Sequence, residues 1–136
     1  MAKLVLDASV FLSWLFPDEE NEWSKSLVEG LRNDRIVVPA HWTTEIANGL
    51  LVGYRRKRIN RAQIDGYLDQ LAVLPIEAES PLSVGETKRV VSLSDKHGLT
   101  VYDAMYLDVA QRRNLALGTL DSALIRAANA ERVILR

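Results

Sequence analysis

Four acidic side chains, Asp7, Glu45, Asp103 and Asp121, stand where hydrophobic segments begin or end. Asp7 closes the apolar run Leu4-Val5-Leu6, and Glu45 opens the helix-like stretch Glu45-Ile46-Ala47-Asn48-Gly49-Leu50-Leu51. Asp103 follows Leu99-Thr100-Val101-Tyr102, and Asp121 follows Leu115-Ala116-Leu117-Gly118-Thr119-Leu120. Only a fold can bring together residues so far apart in the chain. Carboxylates gathered at one place repel each other unless cations bind there. A donor set of oxygens, without sulfur or imidazole, suits a hard cation. The chemistry implied is a metal site facing an anionic substrate.

Each acid also has a purely structural explanation. Asp7 can cap a first helix and Asp121 a last one. Thr100-Val101-Tyr102-Asp103 fits a capping box, and Glu45 falls in a first turn, where the helix dipole favours negative charge. Taken singly these readings win. Taken together, three acids follow strand-like segments, and Glu45 shares a helix face with Asn48 three residues on. In a parallel α/β sheet, ligands bind outside the carboxyl ends of the strands.

The elements that must position these acids can be read from hydrophobic period and stop signals. Lys3 to Leu6 is expected to be a buried strand, and Ser9 to Phe16 a helix ended by Pro17. Asn21 to Arg32 follows a 3.6 period through Trp23, Leu27, Val28 and Leu31. Arg35 to Val38 is a second strand, followed by helices over Thr43 to Arg58 and Arg61 to Leu74, the latter capped by Asn60. Ile76-Glu77-Ala78 forms a brief strand and Ser83 to Lys96 a helix stopped by His97-Gly98. Tyr102 to Arg113 is helical, Leu115 to Leu117 a strand, Ser122 to Ala130 a helix, and Arg132 to Leu135 a last strand. Helices alternating with short, two-sided apolar strands point to an α/β fold with a parallel sheet.

At 136 residues with 48% hydrophobic composition, the chain is expected to form one domain over 1–136, burying roughly two-thirds of its unfolded surface. Cysteine is absent, which removes thiol catalysis and thiolate ligands and fits a reducing cytoplasm. No stretch is long enough to span a bilayer, and no export signal is evident. A net charge of −1 argues against a chain that simply coats nucleic acid, but bound cations reverse the local sign of an acidic site. Arg55, Arg56, Lys57, Arg58 and Arg61 supply five of the seventeen basic residues, a patch able to hold phosphates or merely a solvated helix end.

The blocks Asp7-Ala8-Ser9-Val10, Glu45-Ile46-Ala47-Asn48-Gly49-Leu50, Leu99-Thr100-Val101-Tyr102-Asp103-Ala104-Met105-Tyr106-Leu107 and Thr119-Leu120-Asp121 occur in that order. They resemble the PIN-domain ribonucleases, and within them the VapC toxins of toxin–antitoxin pairs. The likeness covers essentially the whole chain, and the block around Asp103 is its most specific part. It implies a three-layer fold with a parallel five-stranded sheet between helices. By position, Asp7, Glu45, Asp103 and Asp121 match the family's acidic quartet, Ser9 and Thr119 its accessory hydroxyls, and Asn48 its site asparagine. Two departures stand out. Gly118 takes a place where relatives often carry alanine, and Ser122-Ala123 follow Asp121 without a further acid.

The resemblance implies Mg²⁺-dependent cleavage of RNA, with Mn²⁺ as a substitute, leaving a 5′-phosphate and a 3′-hydroxyl. Asp7 and Asp103 are expected to hold the principal ion. Glu45 is expected to orient or deprotonate the attacking water, and Asp121 to serve a second ion or the outer shell. Ser9, Asn48 and Thr119 are expected to fix these groups by hydrogen bonds. A VapC-like chain is further expected to be a cytoplasmic homodimer bound by an antitoxin. That antitoxin's helix would pack in an apolar groove, for which Leu50, Leu51, Tyr54 and Leu68 are candidate lining residues, and its tail would reach the acidic site.

The remaining conspicuous residues take simpler readings. His41, four residues before Glu45, precedes the helix and is read outside the ligand set. His97 is a helix C-terminal residue, and Asp18-Glu19-Glu20 a helix-start cluster. Trp14 and Trp23 fall on apolar helix faces and are read as core, with Trp42 beside the start of the Glu45 helix. The alternative function is a catalytically silent PIN scaffold that binds RNA or a protein. An aspartyl-phosphate phosphatase would need an acid at position 9, where this chain has Ser9, and a phospho-receiver would need paired acids near the first strand's end.

Overall fold

A computed structural model describes residues 3–19, 21–31 and 34–136. Four strands, β1 (Lys3–Leu6), β2 (Arg35–Val38), β3 (Ile76–Ala78) and β4 (Ala116–Gly118), form one sheet in the order β3-β2-β1-β4. All pairings are parallel, with Val5 opposite Val37 on one side and Leu117 on the other. Leu4, Val5, Leu6 and Ile36, Val37, Val38 are all buried, as the uninterrupted apolar runs of a doubly covered sheet require. The chain moves outward from β1 through β2 to β3, then returns to place β4 on the opposite flank of β1. The direction of winding therefore reverses at β1, and a crevice opens at the carboxyl ends of strands on either side of such a reversal.

Seven helices connect the described strands: α1 (Ala8–Leu15), α2 (Glu22–Glu29), α3 (Trp42–Arg55), α4 (Arg61–Ala72), α5 (Thr87–His97), α6 (Val101–Arg113) and α7 (Ser122–Ala130). One group packs in the order α2-α1-α3-α4, and another in the order α5-α6-α7 with α6 laid across β1, β2 and β4. Local signals set most boundaries. Asp7, Asn21, Thr100 and Asp121 each cap a helix through a side-chain oxygen, and Asn60 forms a full capping box with Gln63. Gly98 and Asn114 close α5 and α6 in the left-handed conformation, which glycine and asparagine adopt at least cost.

Helix α6 is the centre of the core. Tyr106 and Leu107 are fully buried, and Ala104, Val109 and Ala110 nearly so, each large apolar side chain contributing about 1.5–3 kcal/mol. Asp108 on the same helix is also buried. It accepts from Arg89 Nε at 2.5 Å and Arg112 Nε at 2.8 Å, and Arg112 Nη2 continues to Glu79 at 2.6 Å. This ladder fastens α5 and the segment after β3 to α6. The guanidinium groups hold the Asp108 carboxyl below its ordinary range in spite of its burial.

Several expectations are corrected. The sheet has four described strands, not five. Within the segment expected as a last strand, Arg132 takes a positive φ of 59°, and pairing is confined to Leu117, whose amide donates to Ile134 O and whose carbonyl accepts from Arg136 N. The expected fifth strand is thus a single bridge between Leu117 and Leu135. Leu99 to Tyr102 is no strand; α6 begins at Val101, because Thr100 accepts from the Asp103 amide. Helix α5 starts at Thr87 rather than Ser83, since Ser83 and Glu86 first close a reciprocal turn. Helix α3 ends at Arg55, and Lys57 beyond it has a φ of 62°. The expected end of the second helix at Arg32 and the acid Glu20 lie outside the described residues. At Gly118 a Cβ would stand 2.5 Å from Leu6 Cδ2, so an alanine there requires the leucine to move.

Candidate active site

Asp7 leaves the end of β1 and caps α1. It is 5% exposed. One carboxylate oxygen accepts from the Ser9 amide at 3.0 Å and from the Ser9 hydroxyl, and the other accepts from the Thr119 hydroxyl. Ser9 Oγ in turn accepts from Leu120 N at 3.3 Å, and Thr119 Oγ1 from Asp121 N at 3.0 Å. Two hydroxyls thereby tie the carboxyl end of β1 to the loop between β4 and α7, where Asp121 caps the last helix. These are the two accessory hydroxyls named from the sequence, and both touch Asp7 directly.

Glu45 reaches the same region from the first turn of α3, entered after β2. Its Oε1 accepts from the Tyr106 hydroxyl at 2.6 Å, which satisfies the one polar atom of an otherwise apolar buried ring. His41 Nε2 lies 3.3 Å from the same oxygen, within ion-pair distance, although neither buried imidazole nitrogen makes a hydrogen bond. Asp103, half-buried in the first turn of α6, completes the set with Thr100 as its helix cap. Of the four acids, only Asp7 directly follows a strand. Asp121 comes two residues after Thr119, and Asp103 and Glu45 ride on helix starts.

Electrostatics links the four. Burial, opposed by the Ser9 and Thr119 hydrogen bonds and reinforced by the charge on Glu45, raises the Asp7 carboxyl from an ordinary 3.8 to about 6. Burial, then the charges on Asp121 and Glu45, also raises Asp103. Glu45 goes the other way: burial pushes it up, but His41 and Tyr106 outweigh that and hold it down. Among the described residues no three His, Asp or Glu side chains converge closely enough to make a ready cation cage. The donors present are carboxylate oxygens, the ligand type of a hard cation such as Mg²⁺, which keeps several waters and takes one or two carboxylates directly.

Between the starts of α3 and α6 an open pocket of about 440 Å³ is lined by His41, Thr44, Glu45, Asn48, Tyr102 and Asp103, among others. Asn48 is exposed there, one turn beyond Glu45. His41 and Tyr106 were not singled out as site residues from sequence. The i, i+4 spacing of His41 and Glu45 was the available signal for the first. Nothing short of the fold pairs Glu45 with a tyrosine 61 residues away.

The basic run divides. Arg58 is spent on structure: it lies 4.1 Å over the Phe16 ring and pairs with Asp18 at 2.7 Å and Glu19 at 2.9 Å. Arg55, Arg56 and Lys57 are exposed, about 15 Å along α3 from Glu45 at 1.5 Å per residue. Trp42 is buried edge-on against Phe11, and Trp14 and Trp23 pack against the core. His97 ends α5 and meets Glu131 at 2.8 Å.

A profile of the PIN domain matches residues 4–130. The chain belongs to the PIN-domain family. Ribonuclease VapC3 from Pyrobaculum aerophilum is 32% identical over 123 residues, which cover 90% of this chain and 92% of that protein. Among solved structures, PAE2754 from Pyrobaculum aerophilum superposes with a TM-score of 0.68 at 22% identity, covering 93% of this chain and 86% of its own. FitAcB from Neisseria gonorrhoeae gives 0.67 at 18%, covering 97% and 95%. VapBC2 from Rickettsia felis, bound to a DNA fragment from their promoter, gives 0.65 at 16%, covering 98% and 97%. At these identities the structural likeness establishes the fold. No described helix is long and apolar enough to cross a membrane.

Proposed function

We propose that the protein is a metal-dependent endoribonuclease, hydrolysing RNA phosphodiester bonds in the cytoplasm as the toxin of a VapBC-type pair. The observation that carries this reading is the acidic cluster at the carboxyl edge of β1, where Asp7 and Asp103 are raised by burial and by neighbouring carboxylates. Membership of the PIN family and the likeness to a VapC ribonuclease support the substrate class.

Bound here, Mg²⁺ or Mn²⁺ would lower the pKa of a coordinated water and neutralise charge developing on the phosphate. Asp7 and Asp103 would hold the ion, with Asp121 serving its outer shell or a second ion. Ser9 and Thr119 donate to Asp7 and keep both its oxygens aimed. Glu45, held ionised by His41 and Tyr106, accepts the proton of the attacking water. Asn48 orients Glu45 or the substrate from the next turn. Arg55, Arg56 and Lys57 hold the RNA backbone some distance from the acids.

An apolar groove of about 340 Å³ between α3, α4 and β3 is lined by Trp42, Ile46, Leu68, Leu71, Leu74 and Ile76. Of the four residues expected to line such a groove only Leu68 does, more than a third exposed; Leu51 and Tyr54 lie outside this lining, and Leu50 is fully buried in the core. We assign this groove to the apolar face of an antitoxin helix, with the toxin itself a homodimer. Sequencing RNA ends after brief induction in cells tests the whole reading. New 5′-phosphate ends at a restricted set of sites, absent with Asp7→Asn, are expected. An end profile identical to that of uninduced cells would leave only the silent-scaffold alternative.

A further inference from the structure

One aromatic side chain beside the acids stays largely outside the core. Tyr102, immediately before Asp103, is 64% exposed, whereas Tyr106 one turn later is fully buried. The Tyr102 ring centroid lies 5.6 Å from the His41 imidazole at an interplanar angle of 52°. His41 is fixed in turn by an edge-on contact with Tyr106 at 5.3 Å. The two rings wall the 440 Å³ pocket between α3 and α6, within the roughly 300–1,000 Å³ typical of small-ligand sites. Among the described residues its lining includes no lysine or arginine, and it does include the carboxylates of Glu45 and Asp103. Without a cation on Asp103, the lining itself offers a phosphate no positive charge. What the pocket offers instead is a free π-face, the Asn48 amide that both donates and accepts, and the hydroxyls of Thr44 and Thr100. That is the complement of an uncharged planar heterocycle with a hydrogen-bonding edge.

We propose that this pocket is a nucleobase subsite: an unpaired base next to the scissile phosphate stacks on Tyr102, backed by His41, and presents its edge to Asn48 and the threonine hydroxyls. The assignment rests on the nuclease reading above and deepens it, because a base can enter only if it is splayed out of a helix. The nucleotide at the cut must therefore be unpaired, and its identity is read here rather than by the acids.

Binding and cleavage can be separated experimentally. A fluorescently labelled hexaribonucleotide is titrated by anisotropy onto the Asp7→Asn protein, which leaves it uncut, and onto the same protein carrying Tyr102→Ala. Loss of one base–aromatic stack should weaken binding by about tenfold, while Tyr102→Trp binds within about threefold of the parent. Replacing each nucleotide in turn by an abasic residue should reveal one position whose loss weakens the tyrosine protein but not Tyr102→Ala, a non-additivity that marks direct contact. In the otherwise unmodified enzyme, Tyr102→Ala should raise KM with little change in kcat. Equal Kd values with and without Tyr102, full additivity at every abasic position, an effect on a protein partner alone, or no RNA binding by the parent would each overturn the subsite. Tyr102-dependent binding without any cleavage by the unmodified protein would instead overturn the nuclease reading and leave the subsite standing.

Discussion

Replacing Asp7 by asparagine should make the metal-free protein more stable at neutral pH. Asp7 is 5% exposed, and burial raises its carboxyl from 3.8 to about 6, with Ser9 and Thr119 pulling down and Glu45 adding to the rise. A rise of about two units corresponds to about 3 kcal/mol disfavouring the ionised form in the fold. The sign follows from linkage. A carboxyl whose folded pKa lies above its unfolded value contributes fully below 3.8, and that contribution is lost as pH climbs through about 6. Asparagine is uncharged at every pH and escapes the loss. It keeps an oxygen for the Ser9 amide but turns an NH₂ toward one of the two hydroxyls, which takes back about 1 kcal/mol. The net gain is about 2 kcal/mol at pH 7.5, or about 7 °C in Tm for a chain of this length. Calorimetric melts of Asp7→Asn and parent in EDTA, from pH 4 to pH 8, measure it directly. The gain should grow between pH 4 and pH 7. A variant that melts below the parent by the same margin at both ends of the range would refute the picture of Asp7 as a strained anion.

Three further outcomes follow from the same contacts. Mn²⁺ at about one hundred times its Kd should stabilise the parent by about 2.7 kcal/mol and Asp7→Asn far less; an unchanged Tm at millimolar Mn²⁺ would contradict a cation site at Asp7. Tyr106→Phe removes the 2.6 Å hydrogen bond to Glu45, so it should cost about 1–2 kcal/mol by denaturant titration and move the acid limb of the cleavage-rate profile to higher pH. With Mg²⁺ saturating, so that Asp7 is held ionised and does not set the limb, an unmoved limb would contradict Glu45 as the base. Asp108→Asn weakens the buried junction with Arg89 and Arg112 and should cost about 1–3 kcal/mol at pH 7. Since the Asp108 carboxyl is held below its ordinary value, that difference is present above the unfolded pKa and should vanish as pH falls through the folded one; a pH-independent deficit would point to packing instead.

Where the chemistry was local, the sequence was legible. Asn60, Asp121 and Gly98 each mark a helix end by a contact within one turn, and Ile36-Val37-Val38 announces a buried strand by three successive apolar residues. The Asp7-Ala8-Ser9 and Thr119-Leu120-Asp121 blocks were found as separate motifs; that the two hydroxyls clasp one carboxylate is a consequence of β1 lying beside β4. The failures share one cause. The segment Arg132 to Leu135 has the apolar character of a strand, but its pairing depends on a left-handed Arg132 and one residue of β4. Leu99 to Tyr102 likewise reads as β by composition, while a single Thr100 hydroxyl starts a helix there. His41 and Tyr106 meet Glu45 only because α3 and α6 converge, and no spacing encodes that. The basic run was ambiguous in sequence for a similar reason: the Arg58 partners, Asp18 and Glu19, are 40 and 39 residues away.

Metal-dependent RNA cleavage through Asp7 and Asp103 is open to a single titration. Purified protein is given a labelled RNA containing single-stranded segments, and the initial cleavage rate is followed as Mg²⁺ is titrated, for the parent, Asp7→Asn and Asp103→Asn, with circular dichroism confirming that all three are folded. Cleavage by the parent should saturate with Mg²⁺ and stop in EDTA, and each variant should lose at least about a hundredfold, on the order of removing one principal electrostatic contribution to the transition state. Parent-like rates in a folded Asp7→Asn or Asp103→Asn protein, or cleavage indifferent to Mg²⁺ and EDTA, would contradict it.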